Sequence, residues 1–183
     1  MKSYLITDPK YYSNQQKLFE KTLTTILQNN IPDMACFRDK TSQNIEELIE
    51  IFTNICHKKK VETIFINNNI ELAMKYKANG VHLTSTQFDK IQYAKNNGLK
   101  VIISCHTQEE IESAIEQKAD FITYSPIFAT PNKGEPKGVA ELQRVVKKYP
   151  INIIALGGII TKEHLQELEK TGVYGFASIR YFI

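Results

Sequence analysis

The stretch that most constrains this chain is Ile151-Asn152-Ile153-Ile154-Ala155-Leu156-Gly157-Gly158-Ile159. A short apolar run between helical patterns reads as a strand buried on both faces, the kind found in parallel sheets. The glycine pair sits where the strand's carboxyl end should be. With no side chains there, backbone N–H groups can approach an anion closely. Residues 119–127 before it and 175–179 after it repeat the buried-strand pattern, with helical patterns in between. In a (β/α)8 barrel the loops after the seventh and eighth strands are the usual phosphate site, so the rest of the chain can be numbered back from this point.

That numbering gives strand one at 3–8, ended by Pro9, strand two at 34–40, strand three at 61–67, strand four at 80–85 and strand five at 99–106. Strand six is 119–127, strand seven is the opening stretch and strand eight is 174–181. Helices are predicted over 15–28, with Leu18, Thr22, Thr25 and Ile26 near one face, and from 44, with Ile45, Leu48, Ile49, Phe52 and Ile55 at helical spacing. Further helices fall at 70–76, at 88–97 with Gly98 past its end, from Thr107, at 139–148 and at 161–170. Thr107 and Glu110 form a capping box, Thr161 is an N-cap and Gly172 a C′ residue. Eight strands and seven intervening helices favour a compact (β/α)8 TIM barrel over an open doubly wound sheet, as one domain spanning 1–183 and lacking the helix after strand eight.

Composition sets limits on this reading. A chain of 183 residues is short for a barrel, which usually takes about 250. Apolar content of 42% and charged content of 23% are those of a globular domain, and a net charge of +3 gives no reason to expect nucleic acid. No signal-peptide pattern and no membrane-length apolar run is present, so a cytoplasmic protein with no membrane partner is expected. Cys36, Cys56 and Cys105 have no metal-ligand spacing and read as buried reduced thiols.

In such a barrel the chemistry lies at the carboxyl ends of the strands. Those ends carry Thr7 and Asp8; Arg38, Asp39 and Lys40; Asn67 and Asn68; Thr84 and Ser85; and Ser104 and His106. Strand six and its Gly/Pro-rich loop add Ser125, Thr130, Asn132 and Lys133, and the last two strands add Gly157, Gly158 and Arg180. The set is polar and cationic with few carboxylates, which suits a phosphate ester. Arg38 and Lys40 alternate along one strand and so point to one side, which favours ligand binding over rim ion pairs. His106 reads equally as a helix-start residue or as an acid/base. His82 lies mid-strand and reads as a satisfied core or outer-layer histidine; His57 and His164 read as surface residues. No two histidines have metal-ligand spacing.

These strand ends resemble the thiamine-phosphate synthase/TenI family across nearly the whole chain. The matching segments are Phe37-Arg38-Asp39-Lys40, residues 66–73, Gly80-Val81-His82-Leu83, Ser104-Cys105-His106-Thr107, Ala119-Asp120-Phe121, residues 126–130 with Lys133, and Ala155-Leu156-Gly157-Gly158-Ile159. The resemblance implies a (β/α)8 barrel. It also implies either a synthase joining a pyrimidine pyrophosphate to a thiazole phosphate with Mg2+, or a TenI-type tautomerase that aromatises a thiazole phosphate carboxylate. Against the family pattern, Cys36 stands at a glutamine position and Asn67-Asn68 at an Asn-Asp pair whose Asp holds Mg2+. Residues 84–87 lack a second metal-binding Asp, Thr130-Pro131-Asn132-Lys133 stands for a Thr-x-Thr-Lys clamp, Pro126 occupies the tautomerase histidine position, and Arg180 reads as replacing a serine.

The leading expectation is therefore a TenI-like protein of thiamine biosynthesis. It binds a thiazole phosphate or thiamine phosphate, with His106 as acid/base of a possible tautomerisation. Arg38, Lys40, Asn67, Asn68, Ser104, Thr130, Asn132, Lys133, Gly157, Gly158 and Arg180 serve as binding residues. No metal ligands are assigned, and Mg2+ is expected only under the alternative of a divergent synthase. A further alternative is a non-catalytic phosphate-binding barrel. With no helix after strand eight, the backs of Tyr4 and Phe176 are expected to form an apolar strip that a homodimer would cover.

Overall fold

The computed structural model describes residues 1–183. Eight parallel strands close into a barrel in chain order. They are β1 (Lys2–Ile6), β2 (Met34–Phe37), β3 (Thr63–Asn67), β4 (Gly80–Leu83), β5 (Lys100–Cys105), β6 (Phe121–Tyr124), β7 (Asn152–Leu156) and β8 (Gly175–Ser178). The last joins the first in register from Lys2↔Gly175 to Leu5↔Ser178. Between β1 and β2 lie α1 (Pro9–Tyr12) and α2 (Gln16–Asn29). Each later connection carries one α-helix: α3 (Ile45–Lys58), α4 (Ile70–Lys75), α5 (Ile91–Asn96), α6 (Gln108–Glu116), α7 (Gly138–Lys148) and α8 (Lys162–Glu169). Strands of four to six residues and two helices of only six explain how so short a chain closes a barrel.

The two-residue period of each strand divides the apolar side chains into two cores. Outward-facing Leu5, Ala35, Ile64, Ile66, Val81, Leu83, Val101 and Ile103 pack under the helices in the larger core. Inward-facing Tyr4, Ile6, Met34, Cys36, Phe65, Ile102, Phe121, Ile154 and Ala177 fill the barrel. Its lower end is plugged by rings: Phe121 lies 6.5 Å from Phe65 and 5.5 Å from Tyr174, centroid to centroid. Gly80 makes room for that plug, since a Cβ there would meet the Lys100 carbonyl oxygen at 2.3 Å and the Phe65 ring at 2.7 Å. The barrel is thus solid below and open above.

Local signals account for the ends of the elements. Pro9 ends β1 and also starts α1, where its missing N–H costs nothing; Asp8 caps that turn by accepting from Lys10 N–H. Thr107 and Glu110 form the expected capping box, and Thr161 caps α8. Carboxylates tie the amino-terminal face together. Asp33 accepts from the backbone and hydroxyl of Ser3 and from Lys2, and Asp120 accepts from Val101 N–H and Lys95. All three cysteines are free and buried, and burial pushes the Cys36 and Cys105 thiols up to about 12.

Two expectations are corrected. The buried face of α2 is Phe19, Leu23, Ile26 and Leu27, while Leu18 is 49% exposed. An i, i+4, i+7, i+8 stripe with one more large ring outweighs the face drawn through Leu18 and the threonines. The apolar strip at the β8–β1 seam does not form either. Tyr4 points into the barrel, and Phe176 is covered by the last residues of the chain, with the Phe182 ring stacked at 6.0 Å and Tyr181 edge-on at 5.2 Å. Two aromatic side chains, Tyr181 and Phe182, do the covering that a helix would do, so the seam gives no reason for a second subunit. No helix is long and apolar enough to cross a membrane.

Candidate functional site

A cavity of about 390 Å3 opens at the carboxyl end of the barrel. A hollow of about 450 Å3 lies around Asp120, Tyr149 and Tyr174 at the opposite end, but it is shallow and opens on the face where carboxylates tie strands together. The upper cavity is where polar side chains converge. Its wall contains Arg38, Lys40, Lys133 and Arg180 and not one carboxylate. Lys40, Lys133 and Arg180 have no counter-charge, and the one carboxylate that holds Arg38 lies outside the wall, so the recess concentrates anions.

Local devices place Arg38 and Lys40. Arg38 leaves the end of β2 and donates from Nη1 to Asp8 Oδ2 at 2.7 Å. Asp8 is the residue that caps α1, so the turn after β1 fixes the guanidinium. Thr7 adds to this, accepting from Arg38 N–H at 2.8 Å and donating to its carbonyl at 3.2 Å. Asp39 turns away to accept from Thr41 and Ser42, so it shapes the loop and leaves Lys40 at the rim. Lys40, Lys133 and Arg180 are exposed and make no ion pair within the protein.

On the other side of β1 from Arg38, the ends of β7 and β8 form a cradle. Gly157 and Gly158 have φ of 101° and 69°. A Cβ on Gly157 would stand 2.8 Å from Pro126 Cα, and one on Gly158 would stand 2.7 Å from the Ala129 carbonyl oxygen. Glycine is thus required twice over, by conformation and by contact with the β6 loop. The N–H groups of Gly158, Ile159, Ile179 and Arg180 make no backbone hydrogen bond, and all four residues line the cavity. Ser178 holds the two loops together, donating to the Ile159 carbonyl at 2.7 Å and accepting from Tyr181 N–H at 3.1 Å. A serine therefore does stand at the end of β8, and Arg180 is an addition to it rather than its replacement. On the β6 side, Phe128 stacks on His164 at 4.2 Å, and His164 accepts from Ile160 N–H, so His164 pins two site loops rather than lying loose on the surface.

His106 follows β5. Its Nδ1 lies 3.1 Å from the Ser125 carbonyl oxygen. A carbonyl only accepts, so Nδ1 carries the proton and Nε2 the lone pair. Asn67 donates to the His82 carbonyl at 3.0 Å and keeps its own oxygen free. Thr130 lines the wall, its hydroxyl donating to the Phe128 carbonyl. Arg38, Lys40, Asn67, Ser104, His106, Thr130, Lys133, Gly157, Gly158 and Arg180 come together around one cavity; Asn68 and Asn132 do not. Both of these are exposed with φ near 60°, the left-handed region that asparagine tolerates, so they serve as turn residues.

His82 and Tyr4 are the residues that sequence reasoning passed over as site residues. His82 is satisfied, as expected of a core histidine, but it faces the barrel axis and lines the cavity floor. Parity along β4 is the signal, since His82 shares a face with Gly80. Burial, with Arg38 adding to it, pushes its pKa from 6.5 down to about 3. An unfolded histidine titrates near 6.5, so between the two values the unfolded chain binds a proton that the fold excludes. This contribution is complete above about pH 6.5 and is lost at about 1.4 kcal/mol per unit as the pH falls. Urea unfolding at pH 6.5 and pH 5 should differ by about 2 kcal/mol, and His82→Asn should flatten that difference. Equal slopes in the two proteins would show that His82 is not held neutral.

Comparison with known proteins places this geometry. The family model described as thiamine monophosphate synthase, TMP-TENI, matches residues 3–182. The chain belongs to the thiamine monophosphate synthase family. It is 31% identical over 180 residues to the thiamine-phosphate synthase of Flavobacterium psychrophilum, covering 91% of this chain and 86% of that protein. It is 38% identical over 120 residues to that of Latilactobacillus sakei, covering 62% of this chain and 53% of that protein. The fold matches the structure of thiamine phosphate pyrophosphorylase from Pyrococcus furiosus with a TM-score of 0.81 at 24% identity, over 97% of this chain and 85% of that one. Family membership supports a role in thiamine biosynthesis.

The thiamine-phosphate synthase resemblance implies Mg2+, and the donors present do not suit it. Mg2+ is a hard cation held through carboxylates and phosphate oxygens. Here Asp8 is spent on Arg38, Asp39 on its own loop, and the cavity wall is neutral or cationic. Gln87 is also engaged, accepting from Thr84 N–H and hydroxyl and donating to the Asn68 carbonyl.

Proposed function

We propose that this family member binds a phosphorylated thiazole, its phosphate in the Gly157–Gly158 cradle under Lys133 and Arg180, and moves a proton on the ring. The observation that carries this reading is the cavity wall, with four cations and no carboxylate around a glycine pair whose side-chain-free backbone faces it. His106 supplies the proton transfer. With Nδ1–H held by the Ser125 carbonyl, Nε2 takes a proton from one carbon of a non-aromatic tautomer and returns it at the conjugated position. Nothing is oxidised or reduced, and the gain is aromaticity.

Condensation of a pyrimidine pyrophosphate with a thiazole phosphate is the second reading, favoured by relatives named thiamine-phosphate synthases. That reaction must neutralise a pyrophosphate leaving group, and here Arg38, Lys40 and Lys133 would do so without metal. Thermal unfolding with thiazole phosphate, thiamine phosphate and pyrophosphate tests the site itself. A ligand at a hundred times its dissociation constant should add about 2.7 kcal/mol, roughly 5–10 °C for a domain of this size. If all three leave the melting temperature unchanged, the phosphate site is wrong. Condensation assays with and without Mg2+ separate the readings. Little turnover and no Mg2+ dependence are expected, and robust Mg2+-dependent condensation would make the second reading the first.

A further inference from the structure

A chain of hydrogen bonds crosses the barrel beneath the cavity. The hydroxyl of Tyr4, on β1, lies 3.0 Å from His82 Nδ1 on β4, and His82 Nε2 lies 3.3 Å from Ser104 Oγ on β5. Tyr4 is fully buried and His82 is 4% exposed, while His82 and Ser104 both line the cavity. The direction of the chain follows from the acceptors available to Tyr4. The other polar group beside its hydroxyl is the thiol of Cys36, whose own weak S–H points at the Phe37 carbonyl. Sulfur is a poor acceptor and an imidazole nitrogen a good one, so the Tyr4 hydroxyl donates to Nδ1. A neutral ring then has its proton on Nε2 and donates it to Ser104 Oγ. With one lone pair engaged from below and its own proton unclaimed by the protein, the Ser104 hydroxyl is left to donate upward into the cavity. Thr123, in register with Ser104 on β6, is wholly buried and its hydroxyl has no partner. The interior layer here is therefore not one built for stability alone.

We propose that Tyr4 and His82 are positioning residues that fix Ser104 as a hydrogen-bond donor at the cavity floor, so that the site selects ligands whose ring carries an unprotonated acceptor atom. This rests on the proposed phosphate-binding function and adds to it. The cradle holds the phosphate, and the floor tells a ring bearing an acceptor nitrogen from a hydrocarbon ring of similar size. His82 itself touches no reacting atom.

The test compares thiazole phosphate with 2-phenylethyl phosphate, whose ring offers no acceptor, by calorimetric titration of the native chain and of Ser104→Ala, Tyr4→Phe and the double variant. Ser104→Ala should weaken thiazole phosphate about tenfold, the scale of one hydrogen bond, and leave 2-phenylethyl phosphate within about twofold. Tyr4→Phe should shift the same ligand in the same direction, and the double variant should be no weaker than Ser104→Ala, because both act through one hydroxyl. Equal losses on both ligands, no loss on either, or additive losses would overturn the proposal. A second measurement needs no ligand. Long-range nitrogen NMR of the histidines should find His82 protonated at Nε2 in the native chain and shifted toward Nδ1 in Tyr4→Phe. A native Nδ1–H tautomer would reverse the chain and refute the assignment. If neither phosphate binds the native chain, the phosphate-site reading fails and the selection falls with it, whereas binding without discrimination removes only the selection.

Discussion

Gly158→Ala should lose anion binding and cost roughly 2–5 kcal/mol of stability. Two penalties combine. At φ of 69° a Cβ strains the backbone, and that Cβ would sit 2.7 Å from both the Ala129 carbonyl oxygen and Phe128 Cβ. The carbonyl oxygen is backbone and cannot swing aside, so the β6 loop must move, carrying Thr130 and Lys133 away from the cradle. Gly98 provides the control. Its φ is 76°, but nothing lies within 4 Å of a Cβ built there, so Gly98→Ala should show the strain alone, roughly 1–2 kcal/mol. Urea unfolding gives the stability of each variant, and titration with thiazole phosphate gives the binding. A Gly158→Ala protein that binds like the native chain would mean that the cradle is not the phosphate site.

His106→Asn should lower the proposed tautomerisation by a factor of roughly 10²–10⁴ while leaving KM nearly unchanged. Asparagine can keep a donor to the Ser125 carbonyl, so the loop between β5 and α6 is preserved, but it offers no basic nitrogen in place of Nε2. The half-buried ring supports no strand, and the turn there is held by the Thr107–Glu110 capping box. Loss of rate with intact binding is the signature of a group acting on the reacting atoms. If turnover stays within a few-fold of native, His106 is a helix-start residue and nothing more. Turnover that falls together with affinity and melting temperature would point to a structural role.

The residue pattern by itself determined a great deal of this protein. Apolar runs between amphipathic helices require a parallel sheet covered on its outer face, and eight such runs with Gly157-Gly158 near the end favoured a barrel with its polar residues at one rim over an open doubly wound sheet; closure itself is seen in the pairing of β8 with β1. That Arg38, Lys40, Lys133 and the glycine pair share one cavity was legible because each follows a strand end, Lys133 within the loop after β6, and the barrel brings all strand ends and their loops to one face. Caps at Thr107 and Thr161 were legible because capping is decided within four residues.

Tertiary structure decided what depends on residues distant in the chain. The Tyr4–His82–Ser104 chain joins positions separated by 78 and 22 residues, and only closure of the barrel sets their spacing. The tautomer of His106 is set by a carbonyl 19 residues away. The seam between β8 and β1 needed no partner because Phe176, Tyr181 and Phe182 fold onto one another, a packing of rings that hydrophobic periodicity cannot register. Asn68 and Asn132 read as ligand contacts from their place in a motif, yet a positive φ turns each into a loop corner. A one-dimensional pattern records which side of an element a residue occupies. Which atoms it meets there is fixed by the elements that pack across from it.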